Sequence, residues 1–77
     1  MPAKKAPAPE TIGDRIRAAR EHKGLTQEGL ARAADVGTLH VSKIERGTIK
    51  DPSASTIGKL AQALDTSTDA LILGANR

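Results

Sequence analysis

Beyond Pro9, apolar residues recur along the chain at helical spacing. Ile12, Ile16 and Ala19 lie four and three apart, which predicts a first helix with one apolar stripe. Thr11 stands where it can cap that helix, and Asp14 occupies the position of a capping-box acid. Gly24 follows Lys23 and can take the left-handed conformation that ends it. Thr26 then caps a second, short helix with Leu30, Ala31 and Ala34 on one face. A third helix is predicted from Thr38 to Arg46, with Val41 and Ile44 inward and Gly47 at its end. Pro52 and Ser53 open a fourth, striped by Ile57, Leu60, Ala61 and Leu64. Ser67 caps a last short helix carrying Leu71 and Ile72. No stretch alternates with strand period over a useful length, and no segment repeats. The pattern predicts an all-α fold, a compact bundle of five short helices.

Residues 25–47 are more specific than a row of amphipathic stripes. The second and third helices are separated by only Asp35, Val36 and Gly37. Two helices joined by so short a turn cross steeply, as in a helix-turn-helix. Ala31 falls where the third helix would cross the second, and only a small side chain lets the backbones approach there. Val36 can plug the core between the two helices.

Composition narrows the functions such a bundle can have. The chain of 77 residues is one domain, predicted over 10–77, preceded by a tail of Pro, Ala and Lys over 1–9. The tail cannot bury a core; it is either a disordered segment or a basic arm touching phosphates. Cysteine is absent, which excludes disulfides, thiolate nucleophiles and Cys-ligated zinc. Phe, Tyr and Trp are also absent, so the core must be built from Ala, Leu, Ile and Val. The same absence argues against single-strand binders, which stack bases on aromatic rings. The net charge is +3, and Lys4 and Lys5 supply two of those charges. Charge therefore supports nucleic-acid binding only if it clusters on one face. There is no apolar run long enough for a membrane span and no signal-peptide core near the start, so the expectation is a cytoplasmic protein.

With these residues in order, the chain resembles the phage-repressor/Cro-like helix-turn-helix regulators, whose fold is the lambda-repressor-like DNA-binding domain. The resemblance covers roughly residues 11–73. It rests on Leu25-Thr26-Gln27-Glu28 opening the second helix and on Ser42-Lys43-Ile44-Glu45-Arg46-Gly47 closing the third. Pro52-Ser53, Leu60-Ala61-Gln62-Ala63-Leu64 and Ser67-Thr68-Asp69-Ala70-Leu71 add to it. Four residues depart from the family's habit. Gly29 stands in place of an acid in the second helix's cap, Asp35 and Asp65 in place of glycines, and Gly37 in place of a Ser or Thr cap.

The resemblance implies roles. The third helix becomes the recognition helix, and Thr38, Leu39, Ser42 and Lys43 near its start meet base edges in the major groove. Lys43 can donate to guanine O6 and N7, and a Leu39 methyl can touch a thymine methyl. Gln27, at the start of the second helix, together with Arg46 and Lys50 after the third, is expected on phosphates. The family also implies an internal ion pair between Arg20 and Glu45, structural rather than DNA-binding.

The expected function is a sequence-specific regulator of transcription, a repressor, whose partner is double-stranded DNA. It would act as a homodimer on a palindromic operator. Leu71, Ile72 and Leu73 are three adjacent aliphatics that one short helix cannot all turn inward; the surplus face is the expected dimer contact. No cofactor is expected. His22 and His40 lack a third ligand, so no metal is expected, and no nucleophile, base and orienting group can be placed together for an enzyme. The competing expectation is a protein-interaction module of the same fold, such as an antitoxin or a transcription-factor bridge.

Overall fold

A computed structural model describes residues 11–73. The predicted tail over 1–9 lies outside these residues, and so does the side chain of Leu73. Five helices follow one another: α1 (Ile12–His22), α2 (Gln27–Ala34), α3 (Thr38–Arg46), α4 (Ala54–Ala63) and α5 (Thr68–Leu73). The described residues contain no strand. The all-α class expected from the sequence, a bundle of five short helices, is the class observed.

Local chemistry sets the helix starts. The Thr11 hydroxyl accepts from the Asp14 N–H at 3.0 Å while the Asp14 carboxylate accepts from the Thr11 N–H at 3.4 Å, a complete capping box. Thr26, Ser53 and Ser67 each accept from the backbone N–H three residues on, at 2.9, 3.2 and 3.0 Å. Gly37 before α3 has no side chain to do so.

The helix ends are equally regular. After α1 to α4 a single residue turns left-handed: Gly24, Asp35, Gly47 and Asp65, with φ of 74°, 61°, 85° and 57°. The next N–H then reaches back five residues to close the helix. These bonds run from Leu25 to Arg20, Val36 to Ala31, Thr48 to Lys43 and Thr66 to Ala61. Four tight stops in 63 residues let short helices double back around a small core.

That core is aliphatic throughout. Ile16, Leu30, Val41, Ile44 and Leu60 are its largest fully buried side chains, one or more from each of α1 to α4, and Leu71 brings α5 onto it. Helix α3 packs on both α1 and α2, and α5 lies across α1 and α4. Helices α1 and α2 thereby hold α3 by its inner face and leave its outer face open.

Gly29 is a local weakness in this scheme. It lies at the third position of α2, where glycine is less favourable than alanine by about 1 kcal/mol. An added Cβ would sit 3.2 Å from the Thr26 hydroxyl, on an exposed residue with room to yield. Gly29→Ala is expected to raise stability by up to about 1 kcal/mol. A thermal melt checks this; a lower midpoint would show that the Thr26 cap cannot shift to admit the methyl.

Candidate nucleic-acid interface

The unit formed by α2, its turn and α3 carries the candidate interface. Ala31 is 2% exposed, and its carbonyl accepts from the Val36 N–H at 3.0 Å. Asp35 supplies the left-handed turn at φ 61°, and Val36 packs partly buried against the core. A larger residue at Ala31 would hold the helices apart, and a different turn would change their crossing.

The outer face of α3 follows from its periodicity. At about 100° per residue, Thr38, Ser42 and Arg46 climb one side of an arc and Leu39 and Lys43 the other, the whole spanning roughly 140°. Val41, Ile44 and Glu45 lie outside that arc and are buried. Thr38, Leu39 and Arg46 are exposed, Ser42 is half-buried within the arc and Lys43 half-buried at its edge. Leu39 is 63% exposed, the most exposed large aliphatic of the described residues. His40 falls just beyond the arc and is half-buried.

Several of the cations are paired with carboxylates. Arg17, Arg20, Lys23 and Arg32 each lie within 4 Å of a carboxylate, at Asp14, Glu45, Asp65 and Glu28 respectively. The Lys23 contact holds the exposed Asp65 carboxyl below the usual carboxylate range, through its hydrogen bond first and its charge second. Among the described residues Lys43, Arg46 and Lys50 form no such pair, and neither do Arg15 and Lys59. Unneutralised positive charge thus stands on and just after α3, and at Lys59 on α4, in a chain of net charge +3.

Behind the arc lies a buried polar cluster centred on Glu45, whose side chain is 1% exposed. Arg20 Nε and Nη2 donate to its two carboxylate oxygens at 2.7 and 3.1 Å, a bidentate fork. Arg20 Nη1 donates to the Leu25 carbonyl at 2.9 Å, so one side chain ties α1, the loop before α2 and α3 together. The hydrogen bond to Glu45 raises the Arg20 pKa against the opposing effect of burial. Arg17 adds a bond from Nη2 to the Glu45 carbonyl at 3.0 Å.

Gln27 belongs to the same cluster: its Nε2 donates to Glu45 Oε1 at 3.0 Å. The structure therefore draws inward a side chain expected on phosphate. The structure brings Thr38, Leu39, Ser42, Lys43 and Arg46 onto one arc, places Lys50 exposed in the following loop, and joins Arg20, Glu45 and Gln27 behind it.

Sequence reasoning passed over Arg17, Gly13 and Arg15. Gly13 is buried where α1 meets the end of α3; a Cβ there would lie 2.2 Å from the Ile44 carbonyl oxygen. Arg15 reaches the far end of the chain, donating to the carbonyls of Leu71 and Ile72. Nothing in local sequence marks either residue, because both partners are distant along the chain.

The helix-turn-helix family profile matches residues 16–71. The chain belongs to the Cro/C1-type helix-turn-helix family. This is a family of DNA-binding transcriptional regulators and not of enzymes. An uncharacterised HTH-type transcriptional regulator of Bacillus subtilis, YazB, is 45% identical over 62 residues, covering 80% of this chain and 88% of the relative. The immunity repressor of Bacillus phage phi105 is 37% identical over 62 residues, covering 80% of this chain but 42% of that protein. Among solved structures, SinR in complex with DNA superposes with a TM-score of 0.78 at 36% identity, covering 79% of this chain and 97% of that one. The P22 c2 repressor bound to a synthetic operator gives 0.79 at 30% identity, covering 86% and 98%. The chain spans less than half of some curated relatives, among them the B. subtilis repressor RghR at 41%.

Within this helix-turn-helix, the substitutions that depart from family habit keep the geometry at some cost. Asp35 and Asp65 adopt the left-handed turns that glycine adopts freely, and Asp tolerates that conformation better than most residues. Gly37 leaves α3 without a side-chain cap, so this helix is held mainly by packing on α1 and α2.

Proposed function

We propose that this chain is a sequence-specific transcriptional regulator, a repressor acting in the cytoplasm as a homodimer on a palindromic operator. Helix α3 lies in the major groove. Thr38, Leu39, Ser42 and Lys43 meet base edges; Gln27, Arg46 and Lys50 meet phosphates. The observation that carries this reading is the outward arc of α3, where exposed Leu39 and the unpaired Lys43 and Arg46 stand together. Base edges offer matching chemistry, a guanine O6/N7 pair for a lysine and a thymine methyl for a leucine. Gln27 keeps a second amide N–H beyond the one given to Glu45, and the first backbone N–H groups of α2 stand beside it for a phosphate. The C-terminal helix, expected to pair through Leu71, Ile72 and Leu73, offers Ile72 as the dimer contact. Leu71 is taken up by the core, whereas Ile72 is 45% exposed and available. Two such subunits place their recognition helices about 34 Å apart, one turn of DNA.

Selection of bound duplexes from a random library, followed by sequencing, tests the proposal. The expected result is an enriched motif with two-fold symmetry. Lys43→Ala should then cost about 1–3 kcal/mol and relax preference at one base pair in each half-site. Lys50→Ala should weaken all sequences alike and reduce the slope of log affinity against log salt by about 1.

The exposure of Leu39 favours one other reading, a module that docks a protein partner by this face. Salt separates the two. Lys and Arg contacts to DNA weaken steeply as salt rises, whereas an apolar protein interface need not. No enriched motif from folded protein at low salt would overturn the DNA-reading assignment.

A further inference from the structure

Helix α3 turns outward two side chains whose chemistry is one-sided. Leu39 is 63% exposed and offers no polar atom. Lys43, about one turn later, carries a donor-only ammonium with no carboxylate within 4 Å among the described residues. The hydroxyls of Thr38 and Ser42 beside them can donate or accept, and so discriminate little. Side chains four apart on a helix are neighbours, with about 5–6 Å between their Cβ atoms. A long side chain also leans back toward the helix N-terminus, which carries the Lys43 stem toward Leu39. Successive bases along a strand are about 3.4 Å apart, so two groups set this close address the same or neighbouring base pairs.

Each side chain has few matches in the major groove. A leucine is answered only by an apolar group, and the C5-methyl of a pyrimidine is the one that base edges offer there. Thymine always carries it; cytosine carries it only when methylated at the same carbon. A lysine is best answered by guanine, whose O6 and N7 are two acceptors side by side.

We propose that Leu39 and Lys43 act as one reading unit for a C5-methyl group beside a guanine, so that this chain distinguishes methylated from unmethylated cytosine in its operator. This unit presupposes the reading of α3 as the helix that meets base edges. Its ligand is a duplex with thymine or 5-methylcytosine in the same base pair as guanine or the next one. Uracil and unmodified cytosine leave Leu39 without an apolar partner. Burying one methyl group changes affinity by about fourfold.

The test uses the full chain and the duplex motif enriched from a random library. Within one half-site each thymine is replaced in turn by deoxyuridine, which deletes only the methyl. Each guanine is replaced by 7-deazaguanine, which deletes the N7 acceptor. The expected result is a thymine at which uracil weakens binding about fourfold, next to a guanine that needs its N7. With that thymine replaced by cytosine, paired with guanine, methylation of the cytosine at C5 should strengthen binding about fourfold. Leu39→Ala, a change on the exposed arc that leaves the core intact, should bind thymine and uracil duplexes alike and still need the guanine N7. Lys43→Ala should show the converse. If the methyl effects persist in Leu39→Ala, they arise from the duplex itself and the unit is overturned. It is overturned as well if no uracil or C5-methyl change alters binding by the parent, if Lys43→Ala still needs the N7, or if the sensitive thymine and guanine are not neighbours. In each of these cases the enriched motif remains and the DNA-reading assignment with it. No enriched motif from folded protein would remove both.

Discussion

Gly13→Ala is expected to destabilise the domain by about 3 kcal/mol, the upper part of the usual range for overpacking. The added Cβ would lie 2.2 Å from the Ile44 carbonyl oxygen and 3.0 Å from that of Glu45. Neither atom is the loose end of a side chain. Both belong to the backbone of α3, and the Glu45 carbonyl is also held by Arg17 at 3.0 Å. Relief therefore requires α1 and α3 to separate along their whole contact. Alanine's better helix propensity returns about 1 kcal/mol at most, which does not offset the clash. On the proposed reading of α3 as the helix offered to DNA, operator affinity should fall even where the variant is folded. Urea unfolding measures the first effect and operator titration the second. A midpoint equal to that of the parent would mean that the approach of the two helices is looser than 2.2 Å implies.

That glycine shows which parts of the molecule local sequence can express. The caps of Thr11, Thr26, Ser53 and Ser67 were legible because each hydrogen bond closes within three residues. The stops at Gly24 and Gly47 were legible because a left-handed φ has a residue preference of its own. The apolar stripe of α3 was legible from its period, and the outward arc is what that stripe leaves over. Gly13 carries no such signal: its small size answers to Ile44, 31 residues away, and in isolation it reads as a poor helix residue. Gln27 illustrates the same limit differently. An amide at a helix start suits a phosphate and a buried carboxylate equally well, and only the tertiary position of Glu45 decides where it rests in the free protein. Arg20 and Glu45 could be joined across 25 residues only through resemblance to a family. No periodicity links them.

Arg20→Met should cost about 3–5 kcal/mol, as breaking a buried pair by removing one partner generally does. For a domain of this size that is a large share of a total near 5–15 kcal/mol, and the thermal midpoint should drop by more than about 10 °C. The penalty arises chiefly from what is left behind. Glu45 would remain 1% exposed, with a hydrogen bond from the neutral Gln27 amide at 3.0 Å and its charge opposed only by Arg17 Nε at 3.8 Å. Arg17 can move closer, which sets the loss nearer the lower end of the range. The Leu25 carbonyl would lose its donor as well.

A second substitution separates a stranded charge from lost packing. In Arg20→Met/Glu45→Gln the carboxylate is gone, but the amide oxygen can still accept from Gln27. Most of the stability should return, because an apolar or neutral replacement of a buried pair is often near neutral. If the double variant is as unstable as Arg20→Met, the arginine acts through its stem and its bond to Leu25 rather than by neutralising Glu45. If Arg20→Met melts with the parent, the pair does not hold α1 to α3. Recovery in the double variant would establish that α3 is fixed from behind by a charge that must be answered.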